Sequence, residues 1–312
     1  MQEIPNFLIK MLSEQYEKTD LTRIINGYNV NRKVSLRANS LKTNIEKLRN
    51  ELEKNNIDYK EVNWYKDGLI IENAKEEDIQ KLSIYKNGEI YLQSLSSMLP
   101  PIVLEPMEKE DILDMAAAPG GKTTQIAAIS KNKANITAVE INKIRIEKLK
   151  YNIEKQGAKV FIMAKDSRQI DNFFKFDKIL LDSPCSGSGT ISIYDKNLNK
   201  YFTENLIEKS VKTQEILLKK AIQILKPGGK IVYSTCSILK QENEDILEKV
   251  LKNPDISIEP IKINSKIGIN PIEIAKIDEI PQLPTTIPGT LCVCPTELYE
   301  GFFVAKLVKK NK

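Results

Sequence analysis

Histidine is absent from all 312 residues. That excludes His-dependent catalytic triads, imidazole acid–base chemistry and histidine metal ligation, and it leaves proton transfer to Asp, Glu, Lys, Tyr or thiols. Cysteine is scarce at four residues, and Cys292 and Cys294 stand too close in sequence to bridge comfortably. No disulfide framework is expected. No apolar run approaches a membrane span, and residues 1–5 lack the basic and apolar regions of a signal peptide. A cytoplasmic protein without membrane attachment is the expectation. Internal repeats and low-complexity tracts are also missing.

What is present is an ordinary globular composition, 41% hydrophobic and 29% charged, at a length that suits two domains. Lys and Arg exceed Asp and Glu by 47 to 42, a net +5, which identifies no polyanionic partner by itself. The distribution says more. Residues 21–45 carry Arg23, Arg32, Lys33, Arg37 and Lys42 and no acid, although charge alone is equally compatible with a solvated surface stretch.

The first 30 residues read as helical, with Phe7, Leu8, Met11 and Leu12 on one face. Residues 34–39 alternate like a strand, and Asn44 is placed to cap a helix over 45–55 that sets Ile45, Leu48 and Leu52 on one side. Strands near 59–63, 68–72 and 89–92 and a helix near 75–83 complete a small α+β domain over residues 1–97. Over 98–312 the rhythm changes to strand–helix units, with strands at 111–115, 136–140, 159–163, 178–182, 229–234 and 301–308. Helices at 121–130, 142–155 and 204–225 lie between them. This alternation predicts an α/β domain with a mostly parallel sheet covered on both faces. Lys226-Pro-Gly-Gly229 reads as a helix stop and turn. Proline-rich 253–300 reads as an irregular excursion near the cleft.

Three strand ends carry the chemistry. Asp114-Met-Ala-Ala-Ala-Pro-Gly-Gly-Lys122 follows the first strand and opens a helix, where small residues let a ligand approach backbone N–H groups. It matches neither a dinucleotide fingerprint nor a Walker loop. Glu140, Asp166 and Asp182 end later strands; the first stands where such folds grip ribose hydroxyls, and Asp166 could meet an adenine edge. Taken singly each is an ordinary turn acid, but together they indicate adenosine binding. Cys185 lies in Leu180-Leu-Asp-Ser-Pro-Cys-Ser-Gly-Ser-Gly189 and Cys236 in Val232-Tyr-Ser-Thr-Cys-Ser237. A lone cysteine beside a strand is usually a small buried hydrophobe, yet turn formers surround Cys185, and an exposed acid-rich segment, 241–245, is expected after Cys236. Two thiols beside an adenosine cofactor suggest methyl transfer to a pyrimidine. Thiolate addition at C6 makes C5 nucleophilic, an acid such as Asp182 can hydrogen-bond N3, and a second group must assist release. Spacing leaves open which thiol attacks.

With Ser35-Leu-Arg-Ala-Asn-Ser-Leu-Lys42, Tyr91-Leu-Gln-Ser-Leu-Ser-Ser97 and Glu300-Gly-Phe-Phe-Val-Ala305, these motifs resemble the Nop/Sun family of RNA cytosine-C5 methyltransferases over nearly the whole chain. The resemblance implies a Rossmann-like class I methyltransferase domain with a seven-stranded sheet behind an RNA-recognition-like domain. It implies S-adenosyl-L-methionine held by Ala116, Ala117, Ala118, Pro119, Gly120, Gly121, Lys122, Glu140, Asp166 and Asp182. It further implies Cys236 as nucleophile and Cys185 as the thiol that assists release, with Lys122 orienting the base or the loop. Arg32, Lys33, Arg37 and Lys42 become candidate phosphate contacts to structured RNA, rRNA or tRNA. DNA cytosine methylation and a catalytically silent RNA-binding assembly factor are the alternatives. Appended RNA-binding domains found in some family members are not recognisable here, so substrate choice is expected from 1–97, the 190–200 loop and 253–300, or with the help of a partner. Cys292 and Cys294 are expected to pack rather than bind zinc.

Overall fold

The computed structural model describes residues 3–263, 272–273 and 280–311. Helices α1 (Asn6–Gln15) and α2 (Lys18–Tyr28) come first. Strand β1 (Ser35–Ala38), α3 (Ile45–Lys54), β2 (Tyr59–Glu61) and β3 (Gly68–Ile71) follow, then α4 (Glu76–Lys81), α5 (Ser83–Lys86) and β4 (Ile90–Leu92). The four strands form an antiparallel sheet in the order β2-β3-β1-β4. Asn44 caps α3 by accepting from the Lys47 amide. Leu36 and Ala38 pack with Leu48, Leu52, Ile79 and Ile90 in a compact core.

Strand alternation sends Arg37 to the other face of β1. That face is covered too, because all four residues of β1 are buried. Val62, Trp64, Tyr65 and Ile70 join a second cluster with Leu99, Ile112, Ile126 and Phe302. Packing crosses the division at residue 97: Leu8, Leu12, Tyr16, Ile24 and Tyr28 pack with Leu113, Ile179 and Phe303 of the large sheet and with Ile238 just beyond β9, so α1 and α2 dock on the core of the large sheet. An amphipathic stripe specifies that a helix is buried, not which sheet covers it.

Helix α6 (Leu95–Leu104) bridges the two sheets and contains Pro100 and Pro101. Strands β5 (Asp111–Asp114), β6 (Asn135–Glu140), β7 (Phe161–Ala164), β8 (Phe176–Asp182) and β9 (Leu225–Thr235) are parallel, with α7 (Gly121–Ile129), α8 (Lys143–Gln156) and α10 (Glu204–Ile224) on the crossovers. The short α9 spans Leu198–Tyr201 and α11 spans Glu244–Leu251. After β10 (Ile256–Ile258), β11 (Lys262–Ile263), β12 (Ile272–Glu273) and β13 (Gln282–Leu283), strands β14 (Leu291–Val293) and β15 (Phe302–Lys309) return to the sheet. Its order is β13-β14-β15-β9-β8-β5-β6-β7, with β10 paired to β15. The expected seven strands are the run from β14 to β7, and β13 and β10 extend it. Much of the 253–300 excursion, 264–271 and 274–279, lies outside the described residues. The turn expected at Lys226–Gly229 is instead an irregular start to β9, with a register shift opposite Phe176 and Lys178 and Gly228 at φ +73°.

Chain order reverses at β5, which lies between β6 and β8. The crevice at that switch point, beyond the carboxyl ends of the strands, is where such sheets bind ligands.

Candidate active site

The loop after β5 enters α7 through Gly120 at φ +106°, where a Cβ would meet Leu149 Cδ1 at 3.0 Å. Glycine relieves both constraints. From the α8 side, Arg145 Nη2 donates to the Ala118 carbonyl at 2.6 Å and Asn152 Nδ2 to that of Pro119 at 2.8 Å. Beneath the loop, buried Asp114 accepts from Thr123 Oγ1 at 2.6 Å. Burial pushes its carboxyl up to about 6, the Thr123 bond opposes that, and Asp182 adds to it. Asp114 Oδ1 also accepts from the Ala116 amide at 3.4 Å, so this acid, whose role the motif alone does not reveal, is fixed under the loop.

A cavity of about 600 Å³ opens at this point. One wall is the loop 116–119 with Gly121 and Lys122; Asp182 and Cys236 lie within it, and Arg32, Tyr91, Glu300 and Phe302 face them. Lys122 Nζ donates to Asp182 Oδ2 and to Ser97 Oγ, both at 2.7 Å, and stands 5.4 Å from the Phe302 ring centre. Burial opposes the ammonium charge, but Asp182, together with Cys236 and Asp114, outweighs it and the Lys122 pKa is raised overall. Asp182 Oδ1 accepts from Ser234 Oγ at 2.7 Å. Both carboxylate oxygens therefore accept here, and the proton beside Asp182 is carried by Lys122.

The two motif thiols meet. Cys185 Sγ and Cys236 Sγ are 3.1 Å apart, in hydrogen-bond contact, and both are free and half-buried. That contact, burial and the Cys236 charge push the Cys185 thiol well up. The loop around Cys185 is clamped by Glu242, whose carboxylate accepts from Ser186 N at 2.7 Å, Ser186 Oγ at 2.5 Å and Gln214 Nε2 at 3.3 Å. This corrects the exposed segment expected at 241–245: Glu242, Asn243 and Glu244 are buried. Their polar atoms bind loop groups instead of water, which composition does not reveal.

Other expected site residues lie around this centre. Glu140, at the end of β6, accepts from the Ile141 and Asn142 amides at 2.9 Å each and stands 3.5 Å from Arg145. Asp166 follows β7 and is gripped by Arg168, with contacts of 2.6 to 2.9 Å. Arg168 lowers the Asp166 pKa. Neither acid lines the cavity, and of the two motif thiols only Cys236 does.

Of the four basic candidates, Arg32 and Lys33 line the cavity. Arg32 makes long contacts, 3.4 to 3.5 Å, to the carbonyls of Gly189, Thr190 and Ile191, and its Nε has no partner among the described residues. Lys33 pairs with Glu72 at 2.7 Å. Lys42 spends its ammonium on the carbonyls of Asn87 and Lys155, at 2.9 and 2.7 Å. Arg37 is a correction. It is 0% exposed and bonded to Gln93, Gly121 and Thr124, so it cannot reach a phosphate. Cys292 and Cys294 are buried and free, and no metal-holding cluster exists among the described residues.

Comparison with known proteins gives consistent matches. A family model described as 16S rRNA methyltransferase RsmB/F matches residues 101–308, and one for an RsmF/B-like ferredoxin-like domain matches 4–77. Ribosomal RNA small subunit methyltransferase F of Shewanella sp. (strain ANA-3) is 33% identical over 88% of this chain and 56% of its own length. The 28S rRNA (cytosine-C(5))-methyltransferase of Mus musculus is 33% identical over 97% of this chain and 38% of its own. This chain thus spans about half, or less, of these relatives. A crystal structure of a methyltransferase homologue from Pyrococcus horikoshii is 32% identical, covering 98% of this chain and 100% of that one, with a TM-score of 0.76.

Proposed function

This chain belongs to the RsmB/F methyltransferase family, and from that premise we propose that it methylates C5 of a cytosine in RNA, using S-adenosylmethionine. The observation that carries the proposal is the pair of motif thiols 3.1 Å apart beside the Lys122–Asp182 couple. The cofactor loop suits the donor, since small side chains line the cavity where α7 begins. The donor supplies an electrophilic sulfonium methyl.

Cys236 lines the cavity and is the thiol we assign to attack at C6. Cys236 gives its thiol proton to solvent and attacks as the thiolate; the new Sγ–C6 bond moves electron density to C5, and the Lys122–Asp182 couple hands a proton to N3 to accommodate it. After transfer, the C5 proton and the Sγ–C6 bond must both go. We assign release to Cys185, which lies against the departing sulfur. Its thiolate, formed by loss of the thiol proton to solvent and strongly basic because the thiol pKa is raised, takes the C5 proton. The C5–H electron pair re-forms the C5–C6 double bond, Cys236 leaves as a thiolate, and N3 returns its proton to the Lys122–Asp182 couple. The target base must leave its stack to enter the cavity.

The names of the relatives support rRNA as the substrate class, and the free thiols support a reducing, cytoplasmic setting. Among the described residues no helix is long and apolar enough to cross a membrane. The test is nucleoside analysis of RNA and DNA incubated with the chain and methyl-labelled S-adenosylmethionine. Label in 5-methylcytidine is expected. Label chiefly in 5-methyldeoxycytidine would move the assignment to DNA, and no label in either would favour an assembly factor.

A further inference from the structure

Arg37 lies on the small sheet, yet its side chain ends at the cofactor loop. Nη2 donates to the Gly121 carbonyl at 3.0 Å and to Thr124 Oγ1 at 2.9 Å, and Nε donates to Gln93 Oε1 at 2.8 Å. Thr124 Oγ1 in turn donates to the Gly120 carbonyl at 2.7 Å. The guanidinium therefore reaches both glycines at the start of α7, one directly and one through a single hydroxyl. Tyr91 from β4 closes the arrangement. Its ring centre is 5.1 Å from Arg37 Cζ, and a Cβ at Gly121 would stand 3.1 Å from its ring.

A fully buried guanidinium is costly unless its donors are used. The three bonds that hold Arg37 end on neutral acceptors, and Nη1 has no hydrogen-bond partner among the described residues. Burial accordingly lowers its pKa. A residue placed only for the stability of the small sheet gains little from such a position. Gln93 carries the contact onward: its Nε2 donates to the Ser97 carbonyl and to Gln125 Oε1, both at 2.9 Å. Pro101 has no N–H for that Ser97 carbonyl, which leaves it free to accept. Ser97 Oγ is also the acceptor for Lys122. One polar chain thus runs from β1 to the Lys122–Asp182 couple.

We infer that Arg37 is a positioning residue through which the small sheet fixes the cofactor loop, so that affinity for the methyl donor is set partly from outside the methyltransferase sheet. The inference rests on the reading that residues 116–122 hold S-adenosylmethionine. Loss of the guanidinium frees the Gly121 carbonyl and the Thr124 hydroxyl and lets the α7 entry move, without touching the opposite supports from Arg145 and Asn152.

The test uses the full chain and three variants, Arg37→Met, Arg37→Lys and Leu48→Ala, at a temperature where all are folded by circular dichroism. Leu48 is buried in the small core, 1% exposed, and controls for lost stability. Binding of S-adenosylhomocysteine is measured by calorimetry, and amide hydrogen exchange is followed across 116–126 without ligand. Arg37→Met is expected to weaken binding about 10- to 100-fold, the usual worth of a charged hydrogen bond, with faster exchange in that segment. Arg37→Lys should recover part of the loss, and Leu48→Ala should match the parent. Unchanged binding and exchange in Arg37→Met, or an equal loss in Leu48→Ala, would overturn the inference. So would an Arg37→Met variant that loses RNA affinity alone. A parent chain that binds no S-adenosylhomocysteine overturns the cofactor reading, and this inference with it.

Discussion

Asp114 occupies the switch point between β5 and β8, and burial raises its carboxyl to about 6. The linkage has a definite sign. At pH well below about 4 the group is protonated in folded and unfolded chains alike. As pH rises towards 6 the unfolded chain gives up its proton first, so the folded state loses up to about 3 kcal/mol. Asp114→Asn cannot ionise. Its stability relative to the parent should therefore improve by up to about 3 kcal/mol between pH 4 and pH 7 in urea melts, and a pH-independent difference would contradict the assigned burial. At this scale the sequence was legible at Cys185, where turn formers surround the thiol, and less so at Cys236, where the exposed segment expected after it is buried. Arg37 was misread because strand alternation marks Leu36 and Ala38 as one face and Arg37 as the other, and a charged face ordinarily meets water. The second domain covers that face, and nothing local encodes a cover supplied from residues 93–124.

Elements with plain local signals formed where expected. The Asn44 cap and the apolar face of α3 illustrate this, since both depend on contacts within a few residues. Helix α6 did not announce itself, because Pro100 and Pro101 read as breakers; in the fold it is buried between two sheets, and the Ser97 carbonyl that Pro101 cannot serve is taken by Gln93. The start of α11 was hidden for a related reason. Glu242 and its neighbours look solvent-seeking until the Ser186 loop folds over them. Two loops also depend on glycine. A Cβ at Gly189 would stand 2.0 Å from the Gly301 carbonyl, so the loop after Cys185 and the entry to β15 require that contact. Gly189→Ala should cost about 1–3 kcal/mol in denaturant melts and slow methylation, because it displaces the Cys185 loop. Glu242→Ala should cost a similar amount, since it strands two buried Ser186 donors, whereas Glu242→Gln keeps an acceptor and should lose less. Equal stability of all three variants with the parent would show that these loops are loosely held.

The two larger sheets of the molecule are joined by the apolar cluster around Trp64 and Phe302 and by a polar seam. Asn39 Nδ2 donates to the carbonyls of Gly88 and Gln156 at 2.8 Å each, and a Cβ at Gly88 would stand 1.9 Å from the Lys155 carbonyl. The change of rhythm near residue 100 marks the passage from the small sheet to the large one, but the seam and the docking of α1 and α2 carry no such signal, because both join residues far apart in sequence. A fragment of residues 98–312 lacks the five buried side chains that α1, α2 and the intervening Tyr16 give to the core of the large sheet. It should be insoluble or melt well below the full chain, and a fragment as stable as the full chain would contradict that assignment. The thiol roles belong to the site that these sheets assemble. The most direct measurement of the central claim is denaturing electrophoresis of the Cys185→Ala and Cys236→Ala chains after incubation with cytosine-containing RNA and S-adenosylmethionine. Cys185→Ala is predicted to accumulate a covalent protein–RNA species, and Cys236→Ala to form neither adduct nor product. An adduct formed by Cys236→Ala and lost in Cys185→Ala would contradict the account.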